Sequence, residues 1–101
     1  MMEIRFLTLA SREVDDAVRW YEAREQGVSR DFLDELDRVV RLIRHHPRAG
    51  MQIEPDIRRF LLTRFPYSLI YGIEESGIVV IAVAHQNREP SYWSDRIEDL
   101  R

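Results

Sequence analysis

Two periods alternate along the chain, and each change of period marks an element. Ile4 to Leu9 is a short apolar run carrying Arg5 and Thr8, which predicts a first strand. From Ser11 the period lengthens: Val14, Val18 and Tyr21 recur at i, i+4 and i+7, with Ala17 and Trp20 beside them. Ser11 reads as the N-cap, Glu13, Asp15 and Asp16 as negative charge near the positive end of the dipole, and Gly27 as the stop. The helix is expected over about residues 11–26. A second stripe, Phe32, Leu36, Val39 and Ile43 widened by Leu33 and Val40, predicts a helix over about residues 29–46, capped by Ser29 and closed before Pro47. A connection of one or two residues makes the pair an antiparallel hairpin.

Beyond the hairpin, Arg48 to Asp56 is punctuated by Gly50 and Pro55 and reads as a connecting loop. Three strands follow: Ile57 to Phe65, broken by Pro66; Tyr67 to Glu74; and, after the turn Glu75-Ser76-Gly77, Ile78 to His85. The last is apolar from Ile78 to Ala84 without alternation, the pattern of a strand covered on both faces. Such a strand needs a neighbour on each side, one from its hairpin and one from the N-terminal strand. Ser91 to Leu100 is read as a short terminal helix. The expectation is a single α+β domain over residues 1–101, with a helical hairpin on an antiparallel-rich sheet.

Composition narrows the chemistry. Apolar residues are 45% and charged residues 33%, a globular balance, and the formal charge of -3 argues against coating nucleic acid through bulk electrostatics. No sequence-specific DNA binding is expected. The chain has no cysteine, which excludes disulfides, thiol nucleophiles and Cys-based metal sites. All fifteen basic side chains are arginine, so Schiff-base chemistry and a P-loop lysine are excluded too. No apolar run is long enough to span a membrane and no secretory signal is visible, so a cytoplasmic domain without a membrane partner is expected.

Few residues offer chemistry. His45 and His46 are adjacent, about 100° apart on a helix, and cannot chelate one ion together. Neither metal nor cofactor is expected, and no Gly-rich phosphate loop, HExxH or GxSxG spacing occurs. His85 ends the most apolar strand beside the polar run Gln86-Asn87-Arg88-Glu89. Charge is uneven: residues 1–56 carry nine arginines against twelve acids, and residues 57–96 five against four. The second group comprises Arg58, Arg59, Arg64, Arg88 and Arg96. Such a cluster can bind anions or be a basic sheet edge, and Arg58 and Arg59 must point to opposite faces.

The C-terminal half carries a resemblance. Arg59-Phe60, Arg64-Phe65-Pro66-Tyr67-Ser68-Leu69-Ile70-Tyr71, the strand ending in His85, and Arg88-Glu89-Pro90-Ser91-Tyr92-Trp93 together resemble the RelE/ParE superfamily of type II toxins. The N-terminal half agrees through Trp20-Tyr21-Glu22 and Phe32 to Leu36. The resemblance implies a toxin held in check by a small protein antitoxin, whose amphipathic helix would use anchors such as Trp20, Tyr21, Tyr92 and Trp93. It also implies two alternatives. RelE-like members cut mRNA on the ribosome with basic residues and a tyrosine, and ParE-like members are associated with poisoning DNA gyrase. Arg59 and Tyr92 match the ribonuclease pattern, with His85 and Arg88 as further catalytic candidates. Leu61, Ser68 and Gln86 stand where that pattern has cations. The resemblance therefore favours the gyrase-directed branch, with Arg59, Arg64, His85, Arg88, Tyr92 and Trp93 as candidate residues for target or antitoxin. A decayed, non-toxic antitoxin-binding module is the remaining alternative.

Overall fold

The computed structural model describes residues 1–98 and Leu100. The order is β1 (Ile4–Phe6), α1 (Thr8–Glu22), α2 (Val28–His45), a 3-10 turn (Pro47–Ala49), β2 (Met51–Glu54), β3 (Ile57–Leu61), β4 (Tyr67–Glu74), β5 (Gly77–His85) and α3 (Asp95–Glu98). The strands form one sheet in the order β1-β5-β4-β3-β2, antiparallel except for the parallel pair β1 and β5. The α+β class and the position of β5 between two strands are as the sequence pattern implied. Among the described residues no helix is long and apolar enough to cross a membrane.

The α2 stripe buries where the periodicity placed it, except that Leu33, expected to widen it, is 43% exposed; on α1 Val14, Val18 and Tyr21 are only half-buried and Trp20 is 50% exposed. Phe32, Leu36, Val39 and Ile43 of α2 are buried, as is Ala17 of α1, against Leu69, Tyr71, Ile78, Val80 and Val83 of the sheet. The boundaries differ from expectation at α1, which begins at Thr8, so β1 ends at Phe6 and not Leu9. Ser11 is therefore no N-cap: it lies in the first turn and donates its N–H to the Leu7 carbonyl. The change moves Glu13 a turn into the helix, with consequences at the candidate site. Ser29 does not cap α2 either. Gly27 does, at φ 87°, a left-handed conformation that glycine adopts without the Cβ penalty. The connection 23–27 is longer than the one or two residues expected.

Arg48–Asp56 is also more ordered than a loop. The 3-10 turn and β2 occupy most of it, and β2 is a sheet edge. Its alternation was hidden by length and exposure, since only Ile53 of its four residues is not fully exposed. The Tyr71 hydroxyl fastens this segment, donating to the Pro47 carbonyl at 2.6 Å and accepting the Gly50 N–H at 3.0 Å. Arg58 adds a bond from Nη1 to the Gly50 carbonyl at 2.8 Å. Gly50 is required here, because a Cβ would stand 2.7 Å from that hydroxyl oxygen.

The strand expected to reach Phe65 stops at Leu61. Leu62 and Phe65 turn inward to the helix-side core, and this bends the chain away from the ladder before Pro66. At the other end of the hairpin pair, Ile70 faces Ala82 but Tyr71 faces Val80, so Ile81 is an extra residue on β5. This bulge changes the phase of the strand. Ile78 and Val80 before it, and Val83 after it, pack beneath the helices, while Ile81 and Ala82 both join a second cluster with Ile57, Ile70 and Trp93. The unalternating run thus reflects coverage of both faces, by the hairpin on one and by the C-terminal segment on the other. The span Ser91 to Leu100 read as one helix is turns followed by the four residues of α3; it includes Asp99, which lies outside the described residues.

Candidate functional site

The sheet face away from the helices carries a cleft of about 540 Å³ between the β2–β4 side and the segment after β5. Strand alternation supplies its floor with Arg59, Ser68, Ile70 and Ala84, and the turn after β5 supplies Gln86, Arg88 and Glu89, with Tyr92 and Trp93 beyond. Arg58, one residue earlier, points to the opposite face and serves the Gly50 clasp. Arg59 thus comes together with His85, Arg88, Tyr92 and Trp93 at the end of β5 and in the segment that follows it. Arg64 does not join them. It sits at φ 72° in the β3–β4 connection and faces Asp31 of α2 at 3.9 Å.

The members differ in accessibility. Trp93 is 4% exposed and packs on Ile70, Ile81 and Ala82, so it supports the cleft and offers almost no surface to a partner. Trp20, by contrast, is 50% exposed, with the Arg24 guanidinium 3.7 Å from its ring centre. His85 packs edge-on against Tyr67 and accepts the Asn87 N–H at Nδ1, which leaves Nε2 to carry the proton of the neutral ring. It lines both the cleft and a smaller adjoining hollow of about 130 Å³. Leu61 lies two residues beyond Arg59, hence on the same face, and is 65% exposed.

Tyr92 is the most constrained. Its hydroxyl donates to Glu13 Oε2 at 2.5 Å, and its ring lies 3.9 Å from the Arg88 guanidinium and 5.1 Å from that of Arg96. Burial, then the hydrogen bond to Glu13 and that carboxylate's charge, push the phenol well above its ordinary value. Arg96 completes the cluster, donating to Glu13 from Nη1 at 2.8 Å and Nη2 at 3.2 Å. Burial works against the Arg96 charge, but Glu13 more than offsets it and the pKa rises.

Glu13 escaped the sequence reading because its partners are on average about eighty positions away. The reason it is needed is local to the sheet. β1 pairs with β5 through Ile78, Val79 and Val80, and beyond them, among the described residues, no strand lies beside that edge of β5. Glu13 Oε1 accepts the Val83 N–H at 3.0 Å and Arg96 Nη1 donates to the Ile81 carbonyl at 3.0 Å. Two side chains thus satisfy backbone groups that would otherwise be buried without partners. The periodicity gave no signal for this, since Glu13 sits beside Val14 on a solvated-looking stretch.

Chemically the cleft is mixed. Arg59, Arg88 and His85 face it together with Glu54 and Glu89, and Ser68 and Gln86 are neutral. Among the described residues no group of three His, Asp or Glu side chains comes together that could hold a metal ion. The arrangement offers guanidinium and imidazole groups beside carboxylates, a surface that can form polar contacts.

No curated protein matches the chain. A solved structure described as the chromosomal ParDE TA system from P. aeruginosa superposes with a TM-score of 0.72 at 17% identity, covering 84% of this chain and 96% of that one, a likeness of fold. The family model described as the ParE toxin of type II toxin-antitoxin system, parDE, matches residues 4–90. That match takes in the helical hairpin, the whole sheet and Arg59, His85 and Arg88 of the cleft, and the chain accordingly belongs to the ParE toxin family of type II toxin–antitoxin systems.

Proposed function

We propose that this ParE-type toxin acts by seating a surface of DNA gyrase against the cleft, poisoning the enzyme, and that it does not cut RNA. Family membership supplies a protein antitoxin as the neutralising partner, and we extend this to a small antitoxin whose amphipathic helix lies across the toxin. The observation that carries the non-nucleolytic reading is the Tyr92 hydroxyl. It is committed to Glu13 and its pKa is raised, so it is a poor proton acceptor for a 2′-hydroxyl. The mixed charge supports the same reading: the resemblance to the ribonuclease branch would put cations at Leu61, Ser68 and Gln86, and in the cleft Glu54 and Glu89 add negative charge. Losing one preorganised charge donor costs on the order of 2.7–4 kcal/mol of barrier, and the absent ones act at one centre. Arg59 and Arg88 are the residues proposed to meet the target, with His85 and the Tyr92 ring beside them.

The deciding experiment sets purified protein against supercoiling by gyrase and, separately, against mRNA on translating ribosomes. Inhibited supercoiling or trapped cleaved DNA with intact mRNA is expected. Codon-positioned cuts in ribosome-bound mRNA, stopped by Arg59→Ala or Tyr92→Phe, would replace the reading with the ribonuclease one. Normal growth on induction, with neither effect, would assign a non-toxic antitoxin-binding module.

A further inference from the structure

We propose that Glu13 of α1 is a positioning residue that sets Arg88 at the lip of the cleft through the Tyr92 ring. The activity arm of the test rests on the gyrase reading above; the spectroscopic arm does not.

The placement follows from how completely Glu13 is used. Its side chain is 15% exposed and that of Arg96 13%. Oε1 takes the Val83 N–H and Arg96 Nη1, and Oε2 takes the Tyr92 hydroxyl and Arg96 Nη2. The carboxylate is therefore fixed to the backbone of β5 on one side and orients the phenol on the other. The phenol ring then presents a face to Arg88 at 3.9 Å. Among the described residues Arg88 has no carboxylate within ion-pair distance, so the ring is what orients its charge. A guanidinium that is stacked but unpaired keeps its donors available to an incoming carboxylate or carbonyl. Arg88 also lines both the cleft and the adjoining hollow, at their junction. A residue of α1 thereby reaches a side chain of the turn after β5, along the edge of β5 that β1 does not cover among the described residues.

Glu13→Gln keeps the shape and an acceptor for Val83 while removing the charge that holds Arg96 and aligns Tyr92. The expected result is a double-mutant cycle with strong coupling: Glu13→Gln weakens inhibition of gyrase supercoiling about fivefold or more when Arg88 is present, and scarcely at all in an Arg88→Ala background. Equal losses in both backgrounds would overturn the proposal and leave Glu13 a structural residue. Independently of any target, the Arg88 Nε–H resonance of the wild type should show the upfield ring-current shift of Tyr92, and Glu13→Gln should abolish it. An unchanged shift would overturn the proposal. If Glu13→Gln does not fold, Tyr92→Phe, which keeps the ring and loses the bond to Glu13, carries the same two expectations. Failure of wild-type protein to inhibit gyrase would remove the functional reading alone, and the resonance would still decide the positioning.

Discussion

The two faces of the sheet are built on different principles. The helix-covered face is a dry aromatic junction: Phe32 packs on Tyr21, Phe65 and Tyr67 with ring centres 5.3–5.6 Å apart, and Leu69, Tyr71 and Val80 complete it without exposure. The opposite face is closed over Ile70, Ile81 and Ala82 by Trp93, but gives way to the open, charged cleft around Arg59 and Ser68. The first face converts burial into stability, at roughly 25 cal/mol per Å² of apolar surface removed from water. The second leaves Arg59 and Arg88 without ion pairs among the described residues, which adds little to stability and keeps their donors available to a partner. The comparison teaches that stability and recognition are divided across one thin sheet, with β5 serving both.

The division can be broken most directly at Phe32. Phe32→Ala removes a fully buried ring from the junction and should cost about 3–5 kcal/mol, read as a lower midpoint in urea unfolding. A loss comparable to that of an exposed site would mean that the helix face is not the stabilising one.

A smaller effect, visible only with pH, sits at the rim of the same face. The hydrogen bond from Arg38 holds the Glu35 carboxyl below its ordinary value of 4.5, against the opposing effect of burial, and the Thr63 N–H adds to the lowering. A carboxyl whose folded pKa is depressed contributes stability that is present above the unfolded value and disappears as pH falls through the folded one. Unfolding free energies of the wild type and Glu35→Gln should therefore differ at neutral pH and converge below the folded pKa of Glu35. Parallel curves throughout would remove this linkage.

Arg59→Ala tests the cleft face and should change least. Stability should stay within about 0.5 kcal/mol of the wild type, since the side chain makes no ion pair among the described residues, while growth inhibition should fall sharply. A loss of stability matching that of Phe32→Ala would show that the cleft arginine is structural.

Much of the fold was legible because it depends on local period. The helical stripes, the apolar run from Ile78 and the turn at Glu75-Ser76-Gly77 each state their burial within a few residues, and Gly77 at φ 146° marks the hairpin. The missed features are those without local periodicity. The exposed strand Met51–Glu54 has too little burial to alternate visibly, and the start of α1 at Thr8 lacks a side-chain cap to announce it. At the site, residue types and the resemblance pointed to Arg59, His85, Arg88 and Tyr92, and chain folding gathers them; Arg64 had equal standing in sequence and lies on the helix side.

What the sequence determined by itself is the class of the fold, the buried stripe of α2 and the exclusion of thiol and lysine chemistry, because each follows from residue type and spacing alone. Only the tertiary structure decided the phase of β5 and the fate of Glu13. The extra residue Ile81 sends Val83 to the helix side, a choice made by register against β4, and not by the identity of any residue in so uniformly apolar a run. Glu13 became the partner of Val83, Tyr92 and Arg96 because β1 ends too soon to cover β5, and the buried backbone groups left at that edge had to be satisfied by side chains from wherever in the chain they came.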